Sequence, residues 1–298
     1  VINDLSGFGR CSLTAAISVI SAMGIQACPL PTAILTAQTG YPHYYLDDYT
    51  DKMDIYRQEW QKMGQHFDGI YTGFVASEAQ IDQIFHFIDT FYTSDTFLLV
   101  DPVMGDDGIK YDMFTPKLLK KMNALVGEAD IITPNLTELC LLTDADYDAI
   151  IDIADTRILI DVIGELASTL LPPDSDNSNT LDSRQTSKKE KEIIVTGIHC
   201  KNEHGQKMMG NLYVSKDTRK LFAFPHVGGS YSGTGDLFAS CIAAGKCRGD
   251  GIPELIQLSG TFLEQAIKDS AEENVPYPDG TNYEKYLYML IKNRVLTL

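Results

Sequence analysis

What the sequence is short of narrows its possible roles first. Basic residues are scarce: 24 Lys and Arg stand against 41 Asp and Glu, a net charge of −17. Such a surface field repels nucleic acid and anionic membrane, so neither is expected as a partner. No apolar run approaches the roughly 18–20 residues of a spanning helix, and no signal-peptide pattern opens the chain. The six cysteines, Cys11, Cys28, Cys140, Cys200, Cys241 and Cys247, form no C-x-x-C pair and no zinc spacing. Several lie in apolar runs where a thiol acts as a small buried hydrophobe, a usage that fits a reducing cytoplasm. No G-x-x-x-x-G-K-[ST] occurs, so a P-loop is excluded. The glycine loop at 5–10 also lacks the third glycine of a dinucleotide fingerprint. An anionic ligand would therefore need backbone amides, a metal ion or a few basic side chains. The chain opens on Val1 in what reads as the tail of a strand, so further residues are expected before it.

What is present alternates between strand and helix. Continuous apolar runs at 97–100, 131–132 and 193–195 read as parallel strands covered on both faces. Leu13, Ile17, Ile20 and Met23 repeat at helical spacing, and Gly24 ends that helix. Ser77 and Gln80 read as a capping box before a helix whose core face is Ile81, Ile84, Phe85 and Ile88. Thr115 with Pro116 opens another helix. Residues 44–66 read as a surface segment with some helix, 148–171 as helical, 212–214 and 221–224 as a strand pair. Helices are expected at 252–271 and 282–293. Residues 172–191 are polar, rich in Ser, Asp and Lys, and read as a mobile surface insertion. The pattern implies one α/β domain over 1–298: a three-layer, doubly wound fold with a mainly parallel central sheet and helices on both faces.

Ligands of such sheets bind beyond the carboxyl ends of the strands. The polar clusters lie at those ends and are expected to converge on one cleft: Asp4, Thr39, Asp101, Asp106, Thr133, Asn135, Glu138, Thr196 and Asp236. Acids and hydroxyls without a matching basic partner suit a hard cation with oxygen ligands, most simply Mg²⁺, which often arrives with a nucleotide phosphate. Taken singly, each has a plainer reading. Asp101 before a proline can be a turn residue. Asn135 and Glu138 can serve only to cap and charge a helix start, and Asp236 can do the same. Gly233, Thr234 and Gly235, however, precede an apolar helix whose N-terminal amides suit a phosphate.

The motifs together carry more. Asp101-Pro-Val-Met-Gly-Asp106, Thr133-Pro-Asn-Leu-Thr-Glu138, Val195-Thr-Gly197 and Gly233-Thr-Gly-Asp236 resemble, in order and spacing, the ribokinase-like superfamily. Within it the chain looks most like the vitamin B6 kinases of the bacterial pyridoxamine-kinase type. Thr39-Gly40-Tyr41 and the Ser6-Gly-Phe-Gly-Arg10 loop support that branch. The resemblance implies ATP-dependent phosphorylation of the 5′-hydroxymethyl group of pyridoxal, pyridoxine or pyridoxamine, in a cytoplasmic homodimer. It implies Asp236 as general base and the amides of Gly233, Thr234 and Gly235 as anion hole. Asp106 and Glu138 would hold Mg²⁺; Asp101, Thr133 and Thr196 match positions of a monovalent cation, K⁺ or Na⁺. Asn135, Glu138, Thr196, Gly197 and Thr234 would serve ATP, with Val227 and Gly229 on the adenine side. Asp4, Thr39 and Phe74 match positions on the substrate side.

Two departures leave the vitamer open: Asp4 stands where serine is common, and Phe74 where tyrosine is common. Two rivals stay beside the main expectation. Thr36-Ala37-Gln38-Thr39 resembles the hydroxymethylpyrimidine kinases of thiamine synthesis, whose last motif usually differs from Gly-Thr-Gly-Asp. A non-catalytic vitamin binder on the same fold is the other, although a pure binder has no need of Asp236.

Overall fold

The buried runs and glycine stops of the sequence become strands and helices in the computed structural model, which describes residues 1–173 and 189–291. Most of the expected insertion (174–188) and residues 292–298 lie outside the described residues. The chain divides into two compact units: Val1–Gln65, Tyr71–Ala76 and Phe224–Leu298 form the first, and His66–Ile70 and Ser77–Ala223 the second.

In the first unit, strand β1 (Ile2–Ser6) runs parallel to β2 (Leu30–Leu35), with Ile2 opposite Leu30 and Ser6 opposite Leu35. The short β3 (Leu46–Asp48) pairs antiparallel along β2, and helix α2 (Thr50–Lys62) follows it. The stretch expected as surface with some helix is thus strand and then helix. Helix α1 (Ser12–Ala22) ends at Met23, and Gly24 then takes φ +81°, as its place after an apolar period predicts. Strand β4 (Gly69–Thr72) begins in the second unit and ends in the first, where Thr72 lies opposite Ile2 in parallel register.

The long helices of this unit come from the other end of the chain. Helix α8 (Thr234–Cys247) is buried from Leu237 through Gly245 and packs on α1 and on α9 (Ile252–Glu272). A helix apolar all round belongs inside a core. Its approach to α9 needs a glycine: a Cβ at Gly245 would stand 2.0 Å from Leu255 Cδ2. The expected last helix is a 3₁₀ helix, Tyr283–Leu290, preceded by a short one at Tyr277–Asp279.

The second unit repeats the plan. Helix α3 (Glu78–Phe91) starts where the Ser77 hydroxyl accepts the Gln80 N–H at 3.3 Å. Strand β5 (Phe97–Val100) lies parallel to β8 (Ile131–Ile132), which lies parallel to β9 (Glu192–Lys201). All four residues of β5 are buried, as a continuous apolar run requires. Between them stand a two-residue-turn hairpin, β6 (Gly105–Asp106) and β7 (Ile109–Lys110), and helix α4 (Pro116–Glu128), capped by the Thr115 hydroxyl on the Leu118 N–H. Helices α5 (Leu136–Thr143), α6 (Tyr147–Ile151) and α7 (Thr156–Ser168) follow β8, so the expected 148–171 helix is divided between two. Strand β10 (Lys207–Val214) returns antiparallel along β9, and β11 (Arg219–Pro225) is the outermost strand on that side. Mostly parallel strands alternating with helices confirm the expected α/β class. All six cysteines are free, and no described helix is long and apolar enough to cross a membrane.

Candidate active site

Asp236 sits in the first turn of α8, where helix geometry leaves the N–H groups without intrahelical acceptors. Gly233 caps this helix at φ +82°, and a Cβ there would lie 2.2 Å from the Arg10 carbonyl oxygen. Only glycine meets both demands, which fixes the first glycine of Gly-Thr-Gly-Asp. Thr234 is part-buried and donates its hydroxyl to the Tyr231 carbonyl at 3.2 Å; Gly235 is exposed.

Both oxygens of the Asp236 carboxylate are held. Asn3 Nδ2 donates to Oδ1 at 2.9 Å, and the Ser12 N–H donates to Oδ2 at 2.8 Å. Ser12 reaches it because its backbone is left-handed, φ +52°, directly after the extended Cys11. Burial nevertheless pushes Asp236 up to about 6; the Asp4 charge adds to the rise, while Ser12 and Asn3 oppose it. A base near neutrality is what proton abstraction from an alcohol wants.

Asp4 is 6% exposed on β1 and accepts the Ser6 hydroxyl at 2.8 Å. Burial raises its pKa, and hydrogen bonds from Ser12 and Ser6 counter that. The Phe74 N–H bonds to Asn3 Oδ1 at 2.9 Å, and its carbonyl accepts the Thr32 hydroxyl at 3.1 Å. Asp236, Asp4 and Phe74 are thereby joined through Asn3. Thr39 is exposed on a loop that Gln38 pins, through bonds to the Gly40 N–H and the Pro278 carbonyl. Val227 is part-buried and Gly229 exposed, flanking Gly228, whose φ of +66° sets it against Ala271 and Ile267 of α9.

The second unit gathers the other acids. Asp101, 6% exposed after β5, accepts the Thr133 hydroxyl at 2.8 Å. Asn135 and Glu138 close a full capping box on α5: the Glu138 N–H donates to Asn135 Oδ1 and the Asn135 N–H to Glu138 Oε2, each at 2.8 Å. Glu138 Oε1 also accepts the Met104 N–H at 3.1 Å, and Asn135 Nδ2 donates to the Gly105 carbonyl at 2.9 Å. The plain capping reading is therefore true, and it also orients the acid. Glu138 is held well above the usual carboxylate range, by burial first, then by Asp101 and more weakly by Asp106, against the Asn135 and Met104 amides.

Asp106 stands part-buried at the end of the β6–β7 hairpin, whose turn, Asp107 and Gly108, takes φ +47° and +78°. Asp-Gly with two positive φ angles is a preferred hairpin turn, a signal carried by the sequence itself. Burial and then Asp107 raise the Asp106 pKa. Thr196 bridges in parallel to Asn135, with its N–H on the Pro134 carbonyl at 2.9 Å; Gly197 follows at φ +72°. Among the described residues no group of three or more His, Cys, Asp or Glu is poised as a metal cage.

The residues that sequence reasoning missed are the holders: Asn3, Ser12, Met104 and Gly105. Asn3 left a trace as an uncharged polar residue inside a buried strand tail, and Met104 and Gly105 only as members of the Asp101–Asp106 motif, without a role.

Mostly parallel α/β layering with Gly-Thr-Gly-Asp opening a buried helix is the architecture of ribokinase-like proteins. A family model described as phosphomethylpyrimidine kinase matches residues 9–170 and 165–277, and the chain belongs to that family. A Bacteroides thetaiotaomicron structure provisionally assigned as a phosphomethylpyrimidine kinase is 33% identical, with 97% of this chain and 92% of that one covered and a TM-score of 0.82. A second crystal form of it, obtained with pyridoxal, gives 33% identity, 97% and 93% coverage and a TM-score of 0.81. Lactobacillus plantarum pyridoxal kinase is 25% identical over 97% of this chain and 94% of its own, with a TM-score of 0.80. A Schizosaccharomyces pombe protein provisionally named a pyridoxal kinase is 28% identical over 194 residues, 64% of this chain. The chain spans about half the length of that curated relative, 50% of it.

Proposed function

We propose that this chain is a B6-vitamer kinase, transferring the γ-phosphoryl of ATP to the 5′-hydroxymethyl group of pyridoxal, pyridoxine or pyridoxamine. The observation that carries phosphoryl transfer is the Asp236 carboxylate, gripped by Asn3 and Ser12, raised to about 6 and set at the amide-lined start of α8. The vitamer is supported by the similar Bacteroides structure with pyridoxal and by the Lactobacillus pyridoxal kinase.

In this reading Asp236 accepts the proton of the substrate hydroxyl as its oxygen bonds to phosphorus and ADP departs. The N–H groups of Gly233, Thr234 and Gly235 face the negative charge that builds on the transferring phosphoryl oxygens. Asp4, Thr39 and Phe74 contact the pyridine ring. Asn135, Thr196, Gly197, Thr234, Val227 and Gly229 serve ATP. Two acids that raise the pKa of a third, Asp101 and Asp106 on Glu138, with oxygen as the only donor atom, fit a hard cation, and Mg²⁺ commonly takes only one or two protein carboxylates beside phosphate oxygens. Asp106 and Glu138 would hold it, and Asp101, Thr133 and Thr196 a K⁺ or Na⁺ ion. When bound, Mg²⁺ would neutralise phosphate charge. The reading takes the enzyme as cytoplasmic and homodimeric, which light scattering checks.

The family description favours a second reading, phosphorylation of hydroxymethylpyrimidine. Steady-state rates with ATP and Mg²⁺ on pyridoxal, pyridoxine, pyridoxamine and hydroxymethylpyrimidine separate the two. The B6 reading expects the highest kcat/KM on one of the first three. Turnover of the pyrimidine alone would replace it with the second reading.

A further inference from the structure

Asn3, the second residue of β1, is 0% exposed, and its carboxamide makes three hydrogen bonds. Nδ2 donates to Asp236 Oδ1; Oδ1 accepts the N–H groups of Asp4 and Phe74, all at 2.9 Å. The carboxamide cannot swing or flip without losing them, since a flipped amide would set its NH₂ against two donors. Space has been cleared for it as well: a Cβ at Gly73 would lie 2.5 Å from Asn3 Nδ2. Asp236 is thus held on one oxygen by a rigid side chain and on the other by the strained Ser12 amide.

We propose that Asn3 is the positioning residue of the base: it fixes the rotation of the Asp236 carboxylate and ties it to the backbone of Asp4 and Phe74. This rests on the kinase reading. A buried polar hub that served folding alone would need no bond to Asp236, because its two backbone amides could be satisfied by any small acceptor. The titratable groups facing Asp236 in this unit are Asp4 on β1 and the Cys11 thiol at the cap of α1. Arg10 is turned away into its ion pair with Glu284, at 2.7 Å. Asn3 and the Ser12 amide therefore supply the hydrogen bonds that oppose burial there.

The test is Asn3→Asp, which keeps an acceptor for the Asp4 and Phe74 amides and removes the donor to Asp236. The expected result is a kcat about 10–100-fold lower at pH 7, the range that losing one bond to a charged group implies. The acid limb of the kcat profile should move to higher pH, while the KM for ATP stays within about twofold. A wild-type kcat and an unmoved limb overturn the proposal. Should that variant not fold, Asn3→Ser decides: a short hydroxyl cannot reach Asp236, so kcat must fall with ATP binding retained, and an unchanged kcat again overturns it. Titration of the Asp236 carboxyl by ¹³C NMR, assigned by difference with Asp236→Asn, needs no turnover. An upward shift in Asn3→Ser, which adds no charge, supports the positioning role even if no hydroxymethyl acceptor is phosphorylated, an outcome that would count against the kinase reading alone.

Discussion

In the first unit the carboxylate of Asp236 is held from far along the chain: Asn3 is 233 residues away and Ser12 224. In the second, Glu138 takes one bond from Asn135, three residues before it, and another from Met104, 34 residues before it. Asp236 is surrounded chiefly by donors, Glu138 by a donor on each oxygen and by two further acids. One arrangement tunes a single proton acceptor. The other crowds acids together so that a cation would favour their ionised forms. Two acids in helix first turns, alike in a one-dimensional reading, are thus made into different instruments by what the fold brings against them.

The comparison breaks most visibly if Asp236 is not the base. Asp236→Asn keeps the shape and should lower kcat by on the order of 10²–10⁴, with ATP binding retained. Single-turnover measurement of vitamer phosphate checks it, and turnover like the wild type would reduce Asp236 to a helix cap. Glu138→Gln addresses the other acid. Glutamine offers one acceptor oxygen where Glu138 uses two, so it can still close the capping box on the Asn135 N–H, while the Met104 N–H loses its acceptor and the charge is removed. The expected effect is a rise of about 10–100-fold in the Mg²⁺ concentration needed for half-maximal rate, the range found when a metal's surroundings are altered. An unchanged metal requirement would leave Glu138 as a cap and nothing more.

Smaller effects follow from the proton on Asp236. With its pKa at about 6, the base is ionised above that value, so kcat should fall about tenfold per pH unit below 6 and level off above it. A limb near 4 would mean that Asn3 and Ser12 offset burial entirely. The same shift has a sign in stability. A carboxyl raised from 3.8 to about 6 in the folded protein favours the protonated form, so its relative contribution is fully present below 3.8 and lost as pH rises through 6. The stability of Asp236→Asn relative to wild type should therefore grow between about pH 4 and 7. Two pKa units set a ceiling of about 3 kcal/mol, and a value on the order of 1–2 is expected because the side chain is only part-buried. Urea melts at both pH values read it.

Legibility follows the same divide. Strands β5, β8 and β9, the Thr115 cap, the Gly24 stop and the Asn135–Glu138 cap were readable because their causes lie within a few residues. Gly233 was readable from its left-handed φ, although the Arg10 carbonyl that also forbids a larger residue lies far along the chain. The holders of Asp236 were not. An Asn inside β1 and a Ser after Cys11 carry no periodicity, and their role exists only once β1 and α1 meet the start of α8. The expected 282–293 helix differs for a related reason: its apolar spacing serves helix and 3₁₀ turn alike, and its described part is the tighter form, Tyr283–Leu290, packed on α9.

The smallest expected effect tests whether the scaffold of Glu138 is as local as its hydrogen bonds suggest. Helix α5 ends at Asp144, which takes φ +55° and ψ +37° as its left-handed cap, with its N–H on the Cys140 carbonyl. Glycine adopts that conformation without the Cβ penalty, although it also gives the unfolded chain more freedom. For Asp, which still carries a Cβ in that region, the first effect slightly outweighs the second. Asp144→Gly should then stabilise by about 0.5 kcal/mol and raise Tm by about 1–2 °C. Because Asp144 touches none of the acids, the Mg²⁺ requirement should stay where it was while the melting point moves. If the metal requirement shifts with it, the helix and its acid are coupled beyond the capping box, and the contrast with the long-range grip on Asp236 loses its force.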